Sequence, residues 1–463
     1  MRYSKYVGQK GNYIEHKFHR SRWYRCPTCG TKGRRVRVVS RWIAHVGAVN
    51  RLSWIHSKVG MYKAQCSCCR YFRAPIPGVP HRGRYSYEVR NTVANGVIRD
   101  RMPYRLVQQR MAEDYQLDLS VGYIHDCFVW AHRQVDREAY WAFVVANFSG
   151  VLCIDEVHDS GRVILFASDP LNDFTVSFEL VEANDQEQMD AFLQKLKDRG
   201  LEVQVAITDG SPLYKDSLQS YWVNLDHQLC VFHVIKEVNK LILDGVRSIK
   251  NRLRRQGNKG RKRKAGRPTE KARQQRARRQ KMTKKEQATF IWDHQYLIVR
   301  KQEELTDQEK DNLIWLFQIA PELECFRRFN QQFYALFDKE NTQQQARYRH
   351  TRMVNNPLYQ ANSFLARALK KLAKDKFEKM IVFLAWENVD ATNNHVERNN
   401  RVFRMMQKTR YKRRQTHTIQ MVLELDLYAR MLKHPLFPLD VEQLKIKKLH
   451  FPYREPERWR EAA

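Results

Sequence analysis

The stretch Val151-Leu152-Cys153-Ile154-Asp155-Glu156 decides how this chain folds. Four apolar residues run straight into two carboxylates, the pattern of a buried strand whose end reaches solvent. Working outward, residues 162–167 and 174–181 read as two further strands, and 186–200 as an amphipathic helix through Met189, Phe192, Leu193 and Leu196. Residues 203–207 form another strand, which runs into Thr208-Asp209-Gly210. Three strands, a helix and a strand make an α/β order. Asp155 and Asp209 stand just past two strand ends, where side chains of an open α/β sheet converge on a ligand. A pair of carboxylates there suits a divalent cation. A short helix (212–219), a fifth strand (222–225) and a helix (230–243) follow.

The charge is modular. Among 463 residues, 83 Lys and Arg against 50 Asp and Glu give +33, far beyond what solubility requires. The expected partner is a polyanion, nucleic acid first and an anionic membrane surface second. Residues 1–84 hold 19 Lys/Arg and one acid, Glu15; residues 247–285 hold 19 and one acid, Glu270. Each block contributes +18, so the rest of the chain is close to neutral. Residues 148–245 run the other way, with 17 acids against 7 bases, and repel a phosphate backbone unless cations intervene. The longest apolar runs, such as 140–148, fall well short of the roughly 18–20 residues that cross a bilayer. With a polar start, neither a membrane segment nor a signal peptide is expected.

Nine cysteines, an odd number with five before residue 70, suggest metal ligation in a reducing compartment. Cys26-Pro27-Thr28-Cys29-Gly30 and Cys66-Ser67-Cys68-Cys69 are two knuckles joined by alternating stretches such as 36–39. They read as a zinc ribbon with Cys26, Cys29, Cys66 and Cys69 as thiolate ligands. Cys68 is an alternative to Cys66 or Cys69, and reduced, unligated thiols are the plainer reading. Pro75, Pro77, Gly78 and Pro80 mark a boundary.

Residues 87–135 read as three short helices: one through Val89, Val93 and Val97, one from Pro103 to Met111, and one capped by Ser120. The last carries Val121, Ile124, Cys127, Phe128 and Ala131 at helical spacing. A helix-turn-helix is one reading and a three-helix connector the other. Residues 246–285 show no hydrophobic period and read as a solvated basic linker. Within it Arg261-Lys262-Arg263-Lys264-Ala265-Gly266-Arg267-Pro268 approaches the Arg-Gly-Arg-Pro core of minor-groove binders. Ala265 stands where the first Arg would be, so a phosphate tether through Arg261, Lys262, Arg263 and Arg267 is the expectation. Beyond residue 286 the chain is helical, with Trp292, Trp315, Phe317, Phe326, Phe329, Phe333, Tyr334 and Phe337 as its expected core.

A third carboxylate comes from Thr392-Asn393-Asn394-His395-Val396-Glu397-Arg398-Asn399-Asn400-Arg401-Val402-Phe403-Arg404. On a helix Glu397, Arg401, Arg404 and Lys408 share one face. Spacing alone leaves a metal ligand and an ordinary salt-bridged surface equally open. The order CPTCG, three-helix segment, CIDE, ITDGSPLY, CVFH, helical stretch and TNNHVERNNRVFR resembles the DDE transposases of bacterial insertion sequences. These belong to the broad group that includes the Mutator-like transposases. The resemblance covers most of the chain up to about residue 430. It implies an RNase H-like fold interrupted by an all-helical insertion, and 188 positions separate Asp209 from Glu397.

The resemblance places the catalytic, metal-binding carboxylates on Asp155, Asp209 and Glu397, with two Mg²⁺ or Mn²⁺ ions for phosphoryl transfer. It places the Cys-x2-His signature on Cys230 and His233, which either pack near the site or touch DNA. Glu156 and Asp159 are rival ligands, although Glu156 should face away from Asp155 if the strand continues. Arg401, Arg404 and Lys408, with Arg410, Lys412, Arg413 and Arg414 beyond, are expected phosphate contacts.

The expected organisation is multidomain α/β plus α. A basic zinc ribbon (1–84) and a helix-turn-helix segment (85–145) precede the first part of an RNase H-like core (146–245). A basic linker (246–285), an all-α insertion (286–390), the core's final part with the Glu helix (391–435) and a tail (436–463) follow. The implied partner is double-stranded DNA, as terminal inverted repeats and target, gripped by a homodimer or larger assembly. The expected location is the cytoplasm, on the nucleoid in a prokaryote. A transposase-derived regulator without catalysis and a structure-selective nuclease on the same fold are the rival functions.

Overall fold

The computed structural model describes residues 12–16, 21–26, 28–47, 49–64, 71–159, 161–214, 217–258, 282–407 and 414–437. Cys66, Cys68, Cys69, Arg261, Lys262, Arg263, Arg267, Lys408, Arg410, Lys412 and Arg413 lie outside the described residues. The chain divides into two units, Met1–Asn147 with Arg401–Ala463, and Phe148–Asn400.

In the first unit, two long strands, β3 (Lys32–His45) and β4 (Ser53–Lys63), pair antiparallel from Arg34↔Lys63 to His45↔Ser53. β2 (Trp23–Arg25) adds to β3, while β1 (Asn12–His16) and β5 (Tyr71–Arg73) take different lengths of the other edge of β4. Alternation sorts the side chains: Ile43, Ile55 and Val59 are buried with Ile76 and Val79, and Tyr62 and Phe72 with Cys26. Gly33 is needed where β3 passes the Phe72 ring, since a Cβ there would lie 2.7 Å from it.

Three helices follow: α1 (Tyr87–Ile98), α2 (Tyr104–Tyr115) and α3 (Val121–Arg133), then α4 (Arg137–Asn147). Ser120 caps α3 by accepting the Tyr123 N–H at 3.1 Å. Val89, Val93, Val97, Val107, Met111, Ile124, Cys127, Phe128 and Ala131 form one core. Val121, at the first turn of α3, is exposed instead. The last helix, Thr416–Met431, adds Val422, Leu425 and Ala429 to that core. The last helix, placed with the core's final part in the expected organisation, thus groups with the N-terminal helices, because its apolar stripe is buried among them.

The second unit is built on a five-stranded sheet. β6 (Val151–Asp159), β7 (Arg162–Asp169) and β8 (Phe174–Val181) form an antiparallel meander. β9 (Val205–Thr208) and β10 (Asp226–Leu229) add on the other side of β6 in parallel, giving the order β10-β9-β6-β7-β8. Between β8 and β9, α5 (Gln186–Asp198) is capped by Asp185 and buries Met189, Phe192, Leu193 and Leu196. The fifth strand starts after residue 225 rather than at 222, because the Trp222 indole is buried and donates to the Leu201 carbonyl at 2.8 Å. A short α6 (Ser217–Tyr221) precedes it.

α7 (Val231–Asn258) then runs for 28 residues. The expected linker is corrected at its start, because Val246, Ile249 and Leu253 keep a helical spacing and are buried. Arg and Lys crowded onto the other faces obscured that stripe. Helices resume with α8 (Lys284–His294), α9 (Asp307–Ile319), α10 (Glu322–Ala335) and α11 (Gln343–Val354). α12 (Pro357–Ala361), α13 (Ser363–Lys371) and α14 (Lys374–Met380) complete the helical part. Phe326, Phe329 and Phe333 lie in its core, and Gly245 lets α7 meet α10, where a Cβ would come 2.4 Å from the Phe326 ring. Trp292 and Trp315 do not join that core: they are 47% and 55% exposed, and the Lys250 ammonium sits 4.2 Å from the centre of the Trp292 ring. Among the described residues no helix is long and apolar enough to cross a membrane.

Glu424 ties the last helix to its neighbours, accepting from His132 Nε2 at 2.8 Å and Arg137 at 2.5 Å. Burial opposes its ionisation, but the hydrogen bonds from His132, Arg137 and Gln420 outweigh that and hold its pKa at about 2. A depressed carboxyl pKa stabilises above the unfolded value, near 4.5, and that stabilisation is lost as pH falls through about 2. Glu424→Gln should therefore cost on the order of 2 kcal/mol at pH 7. Urea unfolding at a series of pH values should show the gap to wild type closing below about pH 4.5; a gap that widens on acidification would contradict this.

Candidate active site

β6 and β9 pair only as far as Cys153↔Ile207. Continued by two residues, the same register sets Asp155 opposite Asp209 where the strands part. Asp155, Glu156 and Asp209 each present an oxygen atom, and these lie within 4.8 Å of one another. The expectation that Glu156 faces away is thus corrected. Beyond Cys153 the β6–β9 ladder stops, and the Glu156 side chain reaches the Asp pair. The buried Tyr214 hydroxyl holds it there, donating to Glu156 Oε1 at 2.9 Å. Burial first, and then the charge of Asp209, push the Glu156 pKa up to about 7. Asp209 itself accepts the Ser211 N–H at 2.8 Å, which fixes the turn after β9.

The helix α15 (Asn394–Gln407) is pinned to this sheet at three points. Asn393, just before it, donates to the Ile154 carbonyl at 3.0 Å, His395 Nε2 meets Asp173 Oδ1 at 2.6 Å, and Asn400 donates to Asp155 Oδ2 at 2.5 Å. Glu397, one turn before Asn400, does not enter the 4.8 Å cluster; its Oε1 lies 3.9 Å from His233 Nε2. The Cys230 thiol beside His233, with the charges of Asp209 and Glu397, raises the His233 pKa against the effect of burial. Cys230 is buried and its sulfur accepts the Asn393 N–H at 3.2 Å, so it packs beneath the start of α15. Asp159, at the far end of β6, is outside the cluster.

Oxygen donors of this kind suit a hard divalent cation. Asn400 strengthens the fit: it is 1% exposed, it touches Asp155, and its Oδ1 is buried without a hydrogen-bond partner. Asn400 and Tyr214 escaped sequence reasoning. The one usable signal was that Asn400 stands three residues after Glu397, on nearly the same helix face. Arg401 and Arg404 are exposed on α15, and Arg414 is exposed beyond it. In the other unit, Cys26 is buried and Cys29 exposed in a tight turn closed by Gly30 N–H to Cys26 O at 2.8 Å, with Gly30 at φ +76°.

Three carboxylates at the parting of two parallel strands define a site suited to metal-dependent chemistry on phosphate esters. The family model of ISL3-type DDE transposases, described as a transposase, matches residues 152–420, more than half of the chain. The chain belongs to that transposase family. DDE transposases generally use divalent metal, and membership implies a DNA substrate. No curated protein matches the chain.

Because the folded pKa of Glu156 lies above its unfolded value near 4.5, its ionisation costs stability as pH rises through about 7 in metal-free protein. Glu156→Gln should raise the melting temperature of metal-free protein at pH 8 and change it little at pH 5. A lower melting temperature at pH 8 would mean that Glu156 is not held against its neighbours' charge.

Proposed function

We propose that this chain is a DNA transposase that binds the terminal inverted repeats of its element, cuts the DNA there, and joins the freed 3′ hydroxyl to target DNA. The observation that carries the reading is the gathering of Asp155, Glu156 and Asp209 oxygens within 4.8 Å, inside the segment that matches the transposase family. An antiparallel meander followed by two parallel strands, with helices inserted before α15, supports an RNase H-like core. Asp155, Asp209 and Glu397 are the catalytic carboxylates, and they would hold two Mg²⁺ or Mn²⁺ ions with Glu156 beside them. Bound there, the ions would activate water or a 3′ hydroxyl and stabilise the leaving oxygen.

The chain's own part is positioning. Asn400 orients the Asp155 carboxylate, Tyr214 orients Glu156, and His233 stands 3.9 Å from Glu397. An acidic site admits a phosphate backbone only with its cations, so the grip comes from elsewhere: Arg401, Arg404 and Lys408, the block with Arg261, Lys262, Arg263 and Arg267, and the basic N-terminus. Helices α1–α3 are the helix-turn-helix reader of the repeats. Two ends must be brought together, so the working form is a homodimer or larger, on the nucleoid of a prokaryotic host.

The zinc ribbon is part of the same proposal. The β2–β3 hairpin closes at Arg25↔Lys32 and the β4–β5 hairpin at Lys63↔Tyr71, while Arg34 pairs with Lys63. The described strand ends Arg25 and Lys32, and Lys63 and Tyr71, therefore stand at the same end of the sheet; Cys26 and Cys29 follow Arg25, and Cys66 and Cys69 lie outside the described residues.

Purified full-length protein given end-bearing DNA and Mg²⁺ or Mn²⁺ should cleave it, and Asp209→Asn should lower the rate by at least about two orders of magnitude. Equal cleavage by both proteins would overturn the catalytic assignment; specific binding without nicking under either ion would leave a regulator. Metal analysis should find about one zinc per chain, lost in Cys26→Ser; protein without stoichiometric zinc would remove the ribbon.

A further inference from the structure

The proline-rich residues 75–82, a boundary in the sequence, cover one face of the N-terminal sheet. Directly paired residues on neighbouring strands carry their side chains on the same side, and so do residues two apart on one strand. The pairs Val39↔Val59, Arg41↔Ser57, Ile43↔Ile55 and Met61↔Arg73 therefore share a face. On it Ile76 and Val79 are buried with Ile43, Ile55 and Val59. Hydrogen bonds fasten the segment. The Ala74 N–H donates to the Gly60 carbonyl at 3.0 Å just before it, and the Tyr87 N–H to the Gly78 carbonyl at 2.9 Å. The Gly83 N–H closes the last turn on the Pro80 carbonyl at 2.7 Å, and Arg41 donates to the Gly83 carbonyl at 2.6 Å. Pro75, Pro77 and Pro80 fix φ within it, so its shape is set before anything binds.

Sheet and segment border a cavity of about 390 Å³. Arg41 and Arg73 line it from the sheet, His81 and Arg82 from the segment, and Tyr87 from the start of α1. Among the described residues no Asp or Glu lines it. Burial first, and then the charges of Arg82, Arg41 and Arg73, lower the His81 pKa, so all three guanidiniums act on one imidazole. Cations gathered at one cavity repel each other, and packing alone gives no reason to gather them. Arg82 is moreover held at φ +57°, a left-handed conformation that Gly or Asn adopts more easily. A guanidinium is kept there against the preference of its backbone. Three planar forks match an anion with several acceptor oxygens. A carboxylate offers two oxygens and one charge, and a phosphate group offers more of both. At this volume the cavity has room for a phosphate and the sugar attached to it.

We infer that this cavity is a phosphate-binding pocket, which takes one phosphate ester with its sugar and holds it on Arg41, Arg73 and Arg82. A DNA backbone and a free nucleotide offer that same chemistry. Only the use on DNA, seating one backbone phosphate and so fixing the register of the N-terminal module, rests on the transposase proposal.

The test uses full-length protein without added Mg²⁺ or Mn²⁺, so that the acidic site repels the probes. The phosphorus NMR line of thymidine monophosphate should broaden on adding wild type, saturably, and inorganic phosphate should sharpen it again by competition. Arg73→Gln with Arg82→Asn should abolish the broadening; Asn suits the left-handed backbone at position 82, so the fold is not put at risk. Arg73→Lys should retain part of it, which a general loss of fold would not allow. Lys374→Gln with Lys376→Gln, which removes the same charge from an exposed helix of the other unit, should leave it unchanged. Anisotropy of a labelled duplex of about 20 base pairs separates the two sources. A loss of about fivefold or more in the double arginine variant supports a backbone phosphate as occupant, and unchanged duplex binding supports a free nucleotide. No broadening with wild type would overturn the inference. So would equal losses in the arginine and lysine variants, which would mark general attraction of anions. Neither metal nor cleavage enters the measurement. An Asp209→Asn protein that cannot cut should still broaden the line, and failure of the pocket leaves the catalytic proposal standing.

Discussion

Carboxylates gathered within 4.8 Å repel one another, and much of the second unit is arranged around that repulsion. β6 and β9 pair for three residues and then part, so that Asp155 and Asp209 arrive at the same level without a ladder between them. Tyr214 holds Glu156 against the pair, and α15 presses an asparagine amide onto Asp155. Each contact keeps an anion near other anions. The raised pKa of Glu156 reflects its burial first and the charge of Asp209 second, and a hard cation bound there would offset both.

The same logic accounts for the distribution of charge along the chain. A segment that concentrates carboxylates cannot also attract a polyanion, so affinity and chemistry are separated in sequence. The acidic stretch 148–245 lies between basic segments at 1–84 and 247–285. Within the N-terminal module the small sheet buries Tyr62 and Phe72 on one face and Ile43, Ile55 and Val59 on the other.

Much of the site was legible because it follows from local pattern. Apolar runs ending in Asp155 and Asp209 marked two strand ends, and both carboxylates meet in the cluster. Ser120 announced the start of α3, and Met189, Phe192, Leu193 and Leu196 the buried side of α5. Misreadings came where two local rules conflicted. Strand alternation turned Glu156 away from Asp155, but alternation fixes only where a side chain leaves the backbone, and a Glu carboxylate oxygen still comes within 4.8 Å of those of Asp155 and Asp209. High charge made 246–258 look like a linker, although three apolar residues among the cations sufficed to bury one stripe of α7. Trp292 and Trp315 were assigned to a core by residue type, and both lie at the surface.

From sequence alone came the strand and helix order, the modular charge, two of the clustered carboxylates and the family resemblance. These are set by short-range periodicity and by composition, which need no fold to be read. Only the tertiary structure decided that Glu156 joins Asp155 and Asp209, that Asn400 bears on Asp155 across 245 positions, and that the last helix packs with α1 and α3. It also decided that Arg41, Arg73 and Arg82 line one cavity. Such relations depend on strand register and helix docking. Register and docking are fixed by the burial of residues far apart in the chain, and no local pattern carries that information.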